Sequence, residues 1–304
     1  MPINFFYLLK PFIPRSLQLY LRRKIIYSKL QKYRDIWPIL KGSEKKPENW
    51  KGWPGSKKFA LIFTHDVENK NGYSKVLKLM KFEKELGFVS SFNFVPESDY
   101  KVDTEMLDIL IQNGFEYGVH GLKHDGKLFS SKREFFRRAN KINQYLTEWG
   151  TVGFRAPAMH HNLDLIGVLN IEYDLSTFDT DPFEPQPDGV GTIFPFWVQN
   201  SRHRCGGYVE MPYTLPQDFT PFILMGEKTP QLWINKLEWI SENGGMVLVN
   251  VHPDYINFDG IRKSEEYSLE IYRSFLTYIL TNHIGEYWNV TPKELALFWK
   301  KYYK

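Results

Sequence analysis

Two acidic residues, Asp66 and Glu68, follow an apolar run at Phe59–Phe63 that has the character of a buried strand. Residues two positions apart on an extended chain point the same way, so we expect both carboxylates to face one site. Neighbouring carboxylates with different partners can have pKa values that are driven apart. One of them could then bind a metal ion while the other accepts a proton; an ordinary solvated strand end is the alternative.

Two histidines, His120 and His124, stand four residues apart, a spacing at which one helical turn would let both reach a single ion. Imidazole nitrogen together with carboxylate oxygen suits zinc or a similar divalent transition metal. With the histidine content of this chain, chance alone gives roughly 0.2 such pairs. The spacing is therefore weak evidence by itself, and a purely structural pair is the alternative.

Three further polar groups lie at or near the ends of predicted strands. His252 ends the most apolar run of the chain, 245–251, and an imidazole that titrates near neutral pH suits a general acid. Arg155 follows the predicted strand 152–154 and could pair with a carboxylate, and Asp174 lies in another short strand candidate. Because functional groups of parallel α/β folds gather at the carboxyl ends of strands, all these residues could share one site.

Short apolar runs alternate with amphipathic stretches from residue 59 onward, the pattern typical of strand–helix units. One predicted helix carries the capping-box residues Ser131 and Glu134. Prolines exclude long helices from about 178–228, which we interpret as a loop-rich insertion. Six or seven strand–helix units favour a parallel, barrel-like α/β domain over an all-β one.

Composition excludes several classes of protein. Hydrophobic residues make up 42% and charged residues 24% of 304 residues, as in ordinary globular proteins, which argues against a disordered or fibrous chain. No apolar stretch approaches the roughly 18 residues of a membrane span, so a transmembrane protein is excluded. The one cysteine, Cys205, can form neither an internal disulfide nor a cysteine-based zinc cluster, which fits a reducing compartment.

The basic residues are concentrated at the N-terminus. Residues 1–34 hold eight Lys or Arg and no acid, which leaves 31 basic and 35 acidic side chains in the rest. Leu17, Leu21 and Ile25 recur at helical spacing among these cations. Such a segment could lie on anionic lipid, or it could pack on the domain with a solvated basic face. A nucleic-acid role is disfavoured because the remaining chain is net acidic.

We therefore divide the chain into a basic N-terminal segment and linker, 1–58, and one main domain, 59–304. A signal peptide requires an apolar core and a small-residue cleavage site, and the first forty residues offer neither. The sequence accordingly predicts a cytoplasmic protein. Peripheral contact with the inner face of a membrane through 1–36 is the further option that the basic segment suggests.

The order of the polar groups along the chain resembles a known pattern. Thr64-His-Asp-Val-Glu68, His120-x-x-x-His124, Arg155-Ala-Pro157, Asp174 and His252-Pro253 follow one another as in the polysaccharide deacetylase family, also called the NodB homology or carbohydrate esterase 4 family. The resemblance spans roughly 59–253. It implies a distorted (β/α)7 barrel and a hydrolase that removes N-acyl groups from sugars with one divalent metal ion.

The resemblance also implies a metal site and a base. Glu68, His120 and His124 match the metal ligands, with zinc favoured and cobalt, manganese or nickel as alternatives. Asp66 matches the general base, and Arg155 matches the arginine that orients it. Glu68 departs from the family, in which aspartate is usual at the metal-binding acid.

The general acid implied by the resemblance is His252. Asp174 is the favoured match for the acidic residue that tunes this histidine, with Asp179 and Asp181 as alternatives.

The predicted function is a metal-dependent hydrolase that removes N-acetyl or related N-acyl groups from sugars, in surface-polysaccharide or glycan-precursor metabolism. The basic N-terminal segment motivates a variant of this hypothesis, a deformylase or deacetylase of a lipid-linked sugar at the membrane surface. A related non-sugar amide hydrolase is another alternative. A glycan-binding barrel with little or no catalytic activity is the rival that Glu68 motivates.

Overall fold

A barrel of parallel strands is the central feature of the fold, which a computed structural model describes for residues 14–260 and 265–304. The first 13 residues of the predicted basic segment lie outside the described residues. The strands are β1 (Phe59–Val67), β2 (Ser90–Phe94), β3 (Glu116–His120), β4 (Gly153–Arg155), β5 (Tyr173–Asp174), β6 (Phe196–Gln199), β7 (Gly207–Glu210), β8 (Met246–Asn250), β9 (Ile256–Asn257), β10 (Tyr267–Ser268) and β11 (Tyr287–Asn289).

The barrel closes through one strand ladder and one set of backbone contacts. Strands β8, β1, β2, β3, β4, β5 and β7 lie side by side in this order, and every neighbouring pair is parallel. The backbone N–H groups of Thr214 and Leu215 donate to the carbonyl of Leu248 in β8, which joins the two ends of the ladder. Seven parallel strands thus form a distorted (β/α)7 barrel, and the predicted fold class is confirmed.

Helices cover the barrel on the outside. They are α1 (Arg15–Tyr33), α2 (Lys70–Tyr73), α3 (Val76–Glu85), α4 (Thr104–Gln112), α5 (Lys132–Trp149), α6 (Leu163–Ile166), α7 (Gln231–Asn243), α8 (Leu269–Asn282) and α9 (Pro292–Tyr303). The predicted cap of α5 is confirmed, because Ser131 Oγ accepts the backbone N–H of Glu134 at 3.1 Å. Within the described ranges, no helix is long and apolar enough to cross a bilayer.

Burial explains why the strands could be recognised from the sequence. All nine residues of β1 and all five of β8 are buried, as expected for parallel strands covered on both faces. Such strands appear in a sequence as short continuous apolar runs. The carboxyl ends of β1, β3, β4, β5 and β8 carry, or are closely followed by, the candidate site residues of the sequence analysis.

The proline-rich segment 178–228 contributes to the barrel itself. Strand β7 lies within it and pairs with β5, while β6 forms an antiparallel hairpin partner on the outer edge of β7. The segment also contains a π-helix, Phe219–Leu224. The loop-rich segment thus supplies strand β7 to the barrel through a hairpin, without a long helix of its own.

Candidate active site

Asp66 lies near the end of β1 and is held by three side chains. Its Oδ1 accepts hydrogen bonds from Arg155 Nη1 at 3.1 Å and from Asn93 Nδ2 at 3.0 Å. Its Oδ2 accepts one from Asn250 Nδ2 at 2.8 Å. These donors come from β2, β4 and β8, so the carboxylate is fixed from several sides of the barrel.

The charge on Asp66 is stabilised by its surroundings. Burial by itself would raise the pKa of this carboxyl group, but Arg155, together with His120 and His252 in their protonated forms, holds it below its usual range. Both imidazoles approach the same oxygen, because His120 Nε2 lies 3.9 Å and His252 Nε2 lies 4.0 Å from Asp66 Oδ2. Asp66 is therefore ionised at neutral pH, the state that a proton acceptor needs.

His252 follows β8 and is paired with a second carboxylate. Asp218 Oδ1 accepts the ring Nδ1–H at 2.6 Å, and Asp218 Oδ2 accepts the backbone N–H of His252 at 2.8 Å. Tyr267 donates its hydroxyl to Asp218 Oδ2 at 3.0 Å, which fixes the carboxylate. The opposite ring nitrogen, Nε2, is left to face Asp66 and also Glu68, whose Oε1 lies 3.9 Å away.

This environment favours the protonated imidazole of His252. Burial alone would lower the pKa of the ring, but the contact with Asp218 and the charges of Glu68 and Asp66 raise it to about 10. At neutral pH, His252 is therefore a cation that faces the ionised Asp66. The two groups form a proton donor and a proton acceptor on one site.

The acidic partner of His252 differs from the one expected from the sequence. Asp174, the favoured candidate, instead accepts a hydrogen bond from Ser176 at 2.6 Å and lies opposite Glu210 in the pairing of β5 with β7. Burial raises the pKa of both carboxyl groups, Asp174 and Glu210. We therefore replace Asp174 by Asp218 as the residue in contact with the imidazole.

The two alternative acids also have other partners. Asp179 forms a buried ion pair with Lys236 in α7, whose Nζ lies 2.7 Å from Asp179 Oδ2. Asp181 Oδ2 accepts the hydroxyl of Tyr213 at 3.0 Å. The sequence offered no motif for Asp218, which stands in the proline-rich segment just before the π-helix, where neither strand nor helix periodicity gives a signal.

Glu68, His120 and His124 form the second part of the site. His124 Nε2 lies 3.1 Å from Glu68 Oε1, and the two imidazole rings have centroids 5.4 Å apart. Tyr255 donates its hydroxyl to Glu68 Oε2 at 2.7 Å. His120 Nδ1 donates to the backbone carbonyl of Arg155 at 3.1 Å, so its Nε2 is directed towards Asp66.

The turn after β3 gives the two histidines their positions. His120 is the last residue of the strand, and Gly121 follows with a positive φ of 63°. A Cβ atom at this glycine would come within 2.6 Å of Pro157, so both the backbone angle and the space favour glycine. His124 lies in the following loop, so the expectation that one helical turn carries both rings is corrected.

The donor types of Glu68, His120 and His124 suit a zinc-like ion. Burial lowers the pKa of His120 to about 4, so its imidazole is neutral and keeps a lone pair at neutral pH. Its Nδ1–H donation to a carbonyl is the support that metal-binding histidines commonly have. Among residues 14–260 and 265–304, however, no group of three or more His, Cys, Asp or Glu side chains is arranged to hold a metal.

A chain of hydrogen bonds leads from Asp66 to a pair of acids. Asn250 Nδ2 donates to Gln217 Oε1 at 2.7 Å as well as to Asp66. Gln217 Nε2 donates to Glu184 Oε1 at 2.6 Å. The hydroxyl of Tyr213 lies 3.0 Å from both Glu184 Oε1 and the Asp181 carboxylate, but it has only one proton to donate. Burial and the neighbouring Glu184 raise the pKa of Asp181 to about 8.

We expect this acid pair to make the stability of the protein depend on pH. Asp181 binds its proton up to about pH 8 in the folded state, but only up to about pH 4 when unfolded. The free energy of unfolding should therefore fall as the pH rises from 5 to 8, by about 4 kcal/mol from this group. Urea denaturation of Asp181→Asn should show a shallower fall, whereas the exposed control Asp188→Asn should retain the slope of the unmodified protein. Equal slopes in the two variants would contradict the raised pKa of Asp181.

Comparison with known proteins identifies the fold. No family model matches the sequence, and no curated protein matches it. A protein from Mycobacterium smegmatis, described as a candidate polysaccharide deacetylase, superimposes with a TM-score of 0.63 over 84% of this chain and 95% of its own, at 18% identity. The chain has the fold of the polysaccharide deacetylases.

Two further structures that are similar to this chain at lower TM-scores are a deacetylase and a pseudoenzyme. The peptidoglycan deacetylase PdaC from Bacillus subtilis is 13% identical over 82% of this chain and 94% of its own, with a TM-score of 0.47. A carbohydrate esterase 4 family pseudoenzyme from Bacillus anthracis is 13% identical over 81% and 67%, with a TM-score of 0.45. Similarity at this level carries no argument about activity.

Within the polysaccharide deacetylase fold, the predicted site residues are brought together except for Asp174. Asp66, Arg155 and His252 share direct contacts or face one another, and Glu68 with the two histidines lies beside them. Sequence reasoning missed Asn93, Asn250, Asp218 and Tyr255. Asn250 was detectable, because it stands two residues before His252 at the end of a buried strand.

Proposed function

We propose that this protein is a metal-dependent hydrolase that removes N-acetyl or related N-acyl groups from sugars in surface-polysaccharide or glycan-precursor metabolism. One observation carries the proposal: the anionic Asp66 and the cationic His252 face each other at 4.0 Å, with pKa values displaced in opposite directions. Amide hydrolysis needs a group that takes a proton from water and another that gives one to the amine. The fold supports a glycan substrate.

Asp66 acts as the general base in this proposal. Arg155, Asn93 and Asn250 hold its two oxygens, so the carboxylate cannot turn away when it accepts a proton from the attacking water. A divalent ion held by Glu68, His120 and His124 would lower the pKa of water and stabilise negative charge on the amide oxygen. Loss of the Asp66 charge would remove the proton acceptor while leaving these ligands in place.

His252 acts as the general acid. Its Nε2 proton passes to the nitrogen of the departing sugar amine, which is otherwise a very poor leaving group. Asp218 accepts the Nδ1–H and keeps the ring cationic until that transfer. The proton that Asp66 takes from water and the proton that His252 gives to nitrogen balance the reaction, and the products are an amino sugar and a small carboxylate.

The test is hydrolysis by protein freed of metal and then supplied with zinc. We expect acetate or formate release from a panel of N-acylated glycans after zinc addition, with cobalt, manganese and nickel tried in parallel. His124→Ala should lose the bound metal, as measured by elemental analysis. Its activity should fall by about 100-fold. The control His161→Ala removes an imidazole that is not among the proposed ligands and should retain both.

Two results would overturn the proposal. Protein that binds none of the four metals and releases no carboxylate would indicate a glycan-binding barrel, which binding measurements with the same panel would then reveal. Hydrolysis that is unaffected by chelation and by His124→Ala would exclude these residues as ligands.

A further inference from the structure

Helix α1 is attached to the segment that carries the partner of His252. Arg23 Nη2 donates to the carbonyl of Ile223 at 2.9 Å, and Tyr27 donates its hydroxyl to the carbonyl of Met225 at 2.7 Å. Both carbonyls belong to the π-helix Phe219–Leu224 or the residue after it, and Asp218 immediately precedes that helix. The N-terminal helix is therefore connected to the candidate active site through a short, hydrogen-bonded segment.

A second line of contact reaches the predicted metal ligand. The guanidinium of Arg22 lies over the ring of Phe219, with its central carbon 4.9 Å from the centroid. Phe219 packs against Tyr255 at 5.0 Å between ring centroids, and Tyr255 donates its hydroxyl to Glu68. Three side-chain contacts thus link α1 with Glu68.

The face of α1 that points away from the body is apolar over its first turns. Leu19 and Ile26 are buried against the rest of the protein, at 4% exposure each. On the other side, large side chains at i, i+3, i+4 and i+8 are exposed, which is one helical stripe. They are Leu17 at 46%, Tyr20 at 51%, Leu21 at 46% and Ile25 at 51% exposure.

Cations accompany this stripe. Lys24 lies within it and places its Nζ 4.8 Å from the centroid of the Tyr20 ring. Lys29 and Lys32 are exposed further along the helix, and no acidic residue occurs in the first 34 positions of the sequence. Apolar side chains bordered by lysines are the chemistry that binds an anionic lipid surface, where the chains enter the interface and the lysines meet the headgroups.

We propose that the exposed face of α1 docks on an anionic lipid bilayer and thereby holds the active site at the membrane surface. Two other anionic or apolar partners fit less well. A nucleic acid would leave Leu17, Leu21 and Ile25 without apolar contacts. A symmetric second copy would set two sets of lysines against each other with no acid on the helix to compensate.

The proposal also defines a class of substrate, and this part rests on the proposed function. An active site connected to a membrane-bound helix would act on N-acylated sugars that are carried on a lipid. Binding to bare vesicles does not depend on hydrolysis, so the docking surface and the enzymatic activity can fail separately.

The docking face is tested by sedimentation of the full-length protein with vesicles. We expect it to sediment with phosphatidylcholine that contains roughly one third phosphatidylglycerol, and much less with phosphatidylcholine alone. Leu17→Ser, Leu21→Ser and Ile25→Ser combined should reduce the partition coefficient by about tenfold or more. The control changes three other exposed apolar side chains, Ile111→Ser, Ile284→Ser and Leu297→Ser, and should leave it unchanged.

Charge is tested in the same assay. Lys24→Glu, Lys29→Glu and Lys32→Glu combined should reduce partitioning onto the anionic vesicles by about 100-fold. In the charge-matched control, the exposed Lys81, Lys101 and Lys127 become glutamate. This control should lose much less of its partitioning than the α1 variant, because only long-range attraction is lost.

A separate experiment measures hydrolysis of N-acetylglucosamine that is attached to a lipid in the anionic vesicles. We expect the unmodified protein to hydrolyse this lipid-attached substrate faster than soluble amides. The triple serine variant of α1 should lose this advantage and keep the unmodified rate on soluble amides. Absence of sedimentation by the unmodified protein, or equal sedimentation by the α1 and control variants, would overturn the docking face. Loss of a dimer in the serine variant, seen by light scattering without lipid, would assign the face to a second copy instead.

Discussion

Asp66→Asn is expected to lower kcat for release of acetate or formate from N-acylated glycans by about 1,000-fold. The amide keeps the shape of the side chain but cannot accept a proton from water. The measurement is initial rate at saturating substrate, with zinc present. Bound metal should remain, because Glu68 and the two histidines are unchanged.

A folding control accompanies this substitution. Asp66 neutralises the fully buried Arg155, so its replacement leaves a buried cation with less compensation and should lower the free energy of unfolding as well. Circular dichroism and thermal unfolding must therefore show that the variant is folded at the assay temperature. Asp108→Asn, on the exposed side of α4, provides the matched change and should retain full activity. A rate within tenfold of the unmodified protein in folded Asp66→Asn would exclude Asp66 as the base.

Asp218→Asn is expected to change the pH dependence of the reaction. The Asp218 carboxylate raises the pKa of His252, and a general acid is active only while protonated, so activity falls as the pH rises through that pKa. Removal of the negative charge lowers the pKa of His252, so the basic limb of the kcat/KM profile should move to lower pH by one unit or more. For a shift of one unit, kcat/KM should fall about fivefold at pH 10 and change little at pH 7, where the imidazole stays protonated.

The comparison with Asp174→Asn separates Asp218 from the residue that the sequence favoured. Asp174 contacts Ser176 and lies opposite Glu210, so its replacement should leave the basic limb where it is in the unmodified protein. A purely structural role of Asp218 would lower activity at every pH without moving the limb. Movement of the limb in Asp174→Asn, but not in Asp218→Asn, would reverse our assignment.

Much of the fold was predictable because its signals are local. Buried parallel strands such as β1 and β8 are continuous apolar runs, and the N-cap at Ser131 depends on residues three positions apart. The order of the motifs along the chain was sufficient to suggest the family resemblance and the (β/α)7 barrel. The π-helix and the hairpin of β6 and β7 were less predictable, since prolines interrupt every period in that segment.

By itself, the sequence determined which strand ends carry carboxylates, imidazoles and a guanidinium, because strand ends are marked by local pattern. Only the tertiary structure decided that Asp218 is the partner of His252, since the two residues are 34 positions apart and meet through barrel closure. It also decided which face of α1 stays exposed: Leu19 and Ile26 turn inward, while Leu17 and Ile25 do not. Contacts between distant segments depend on how the elements pack, and no period in the sequence records that packing.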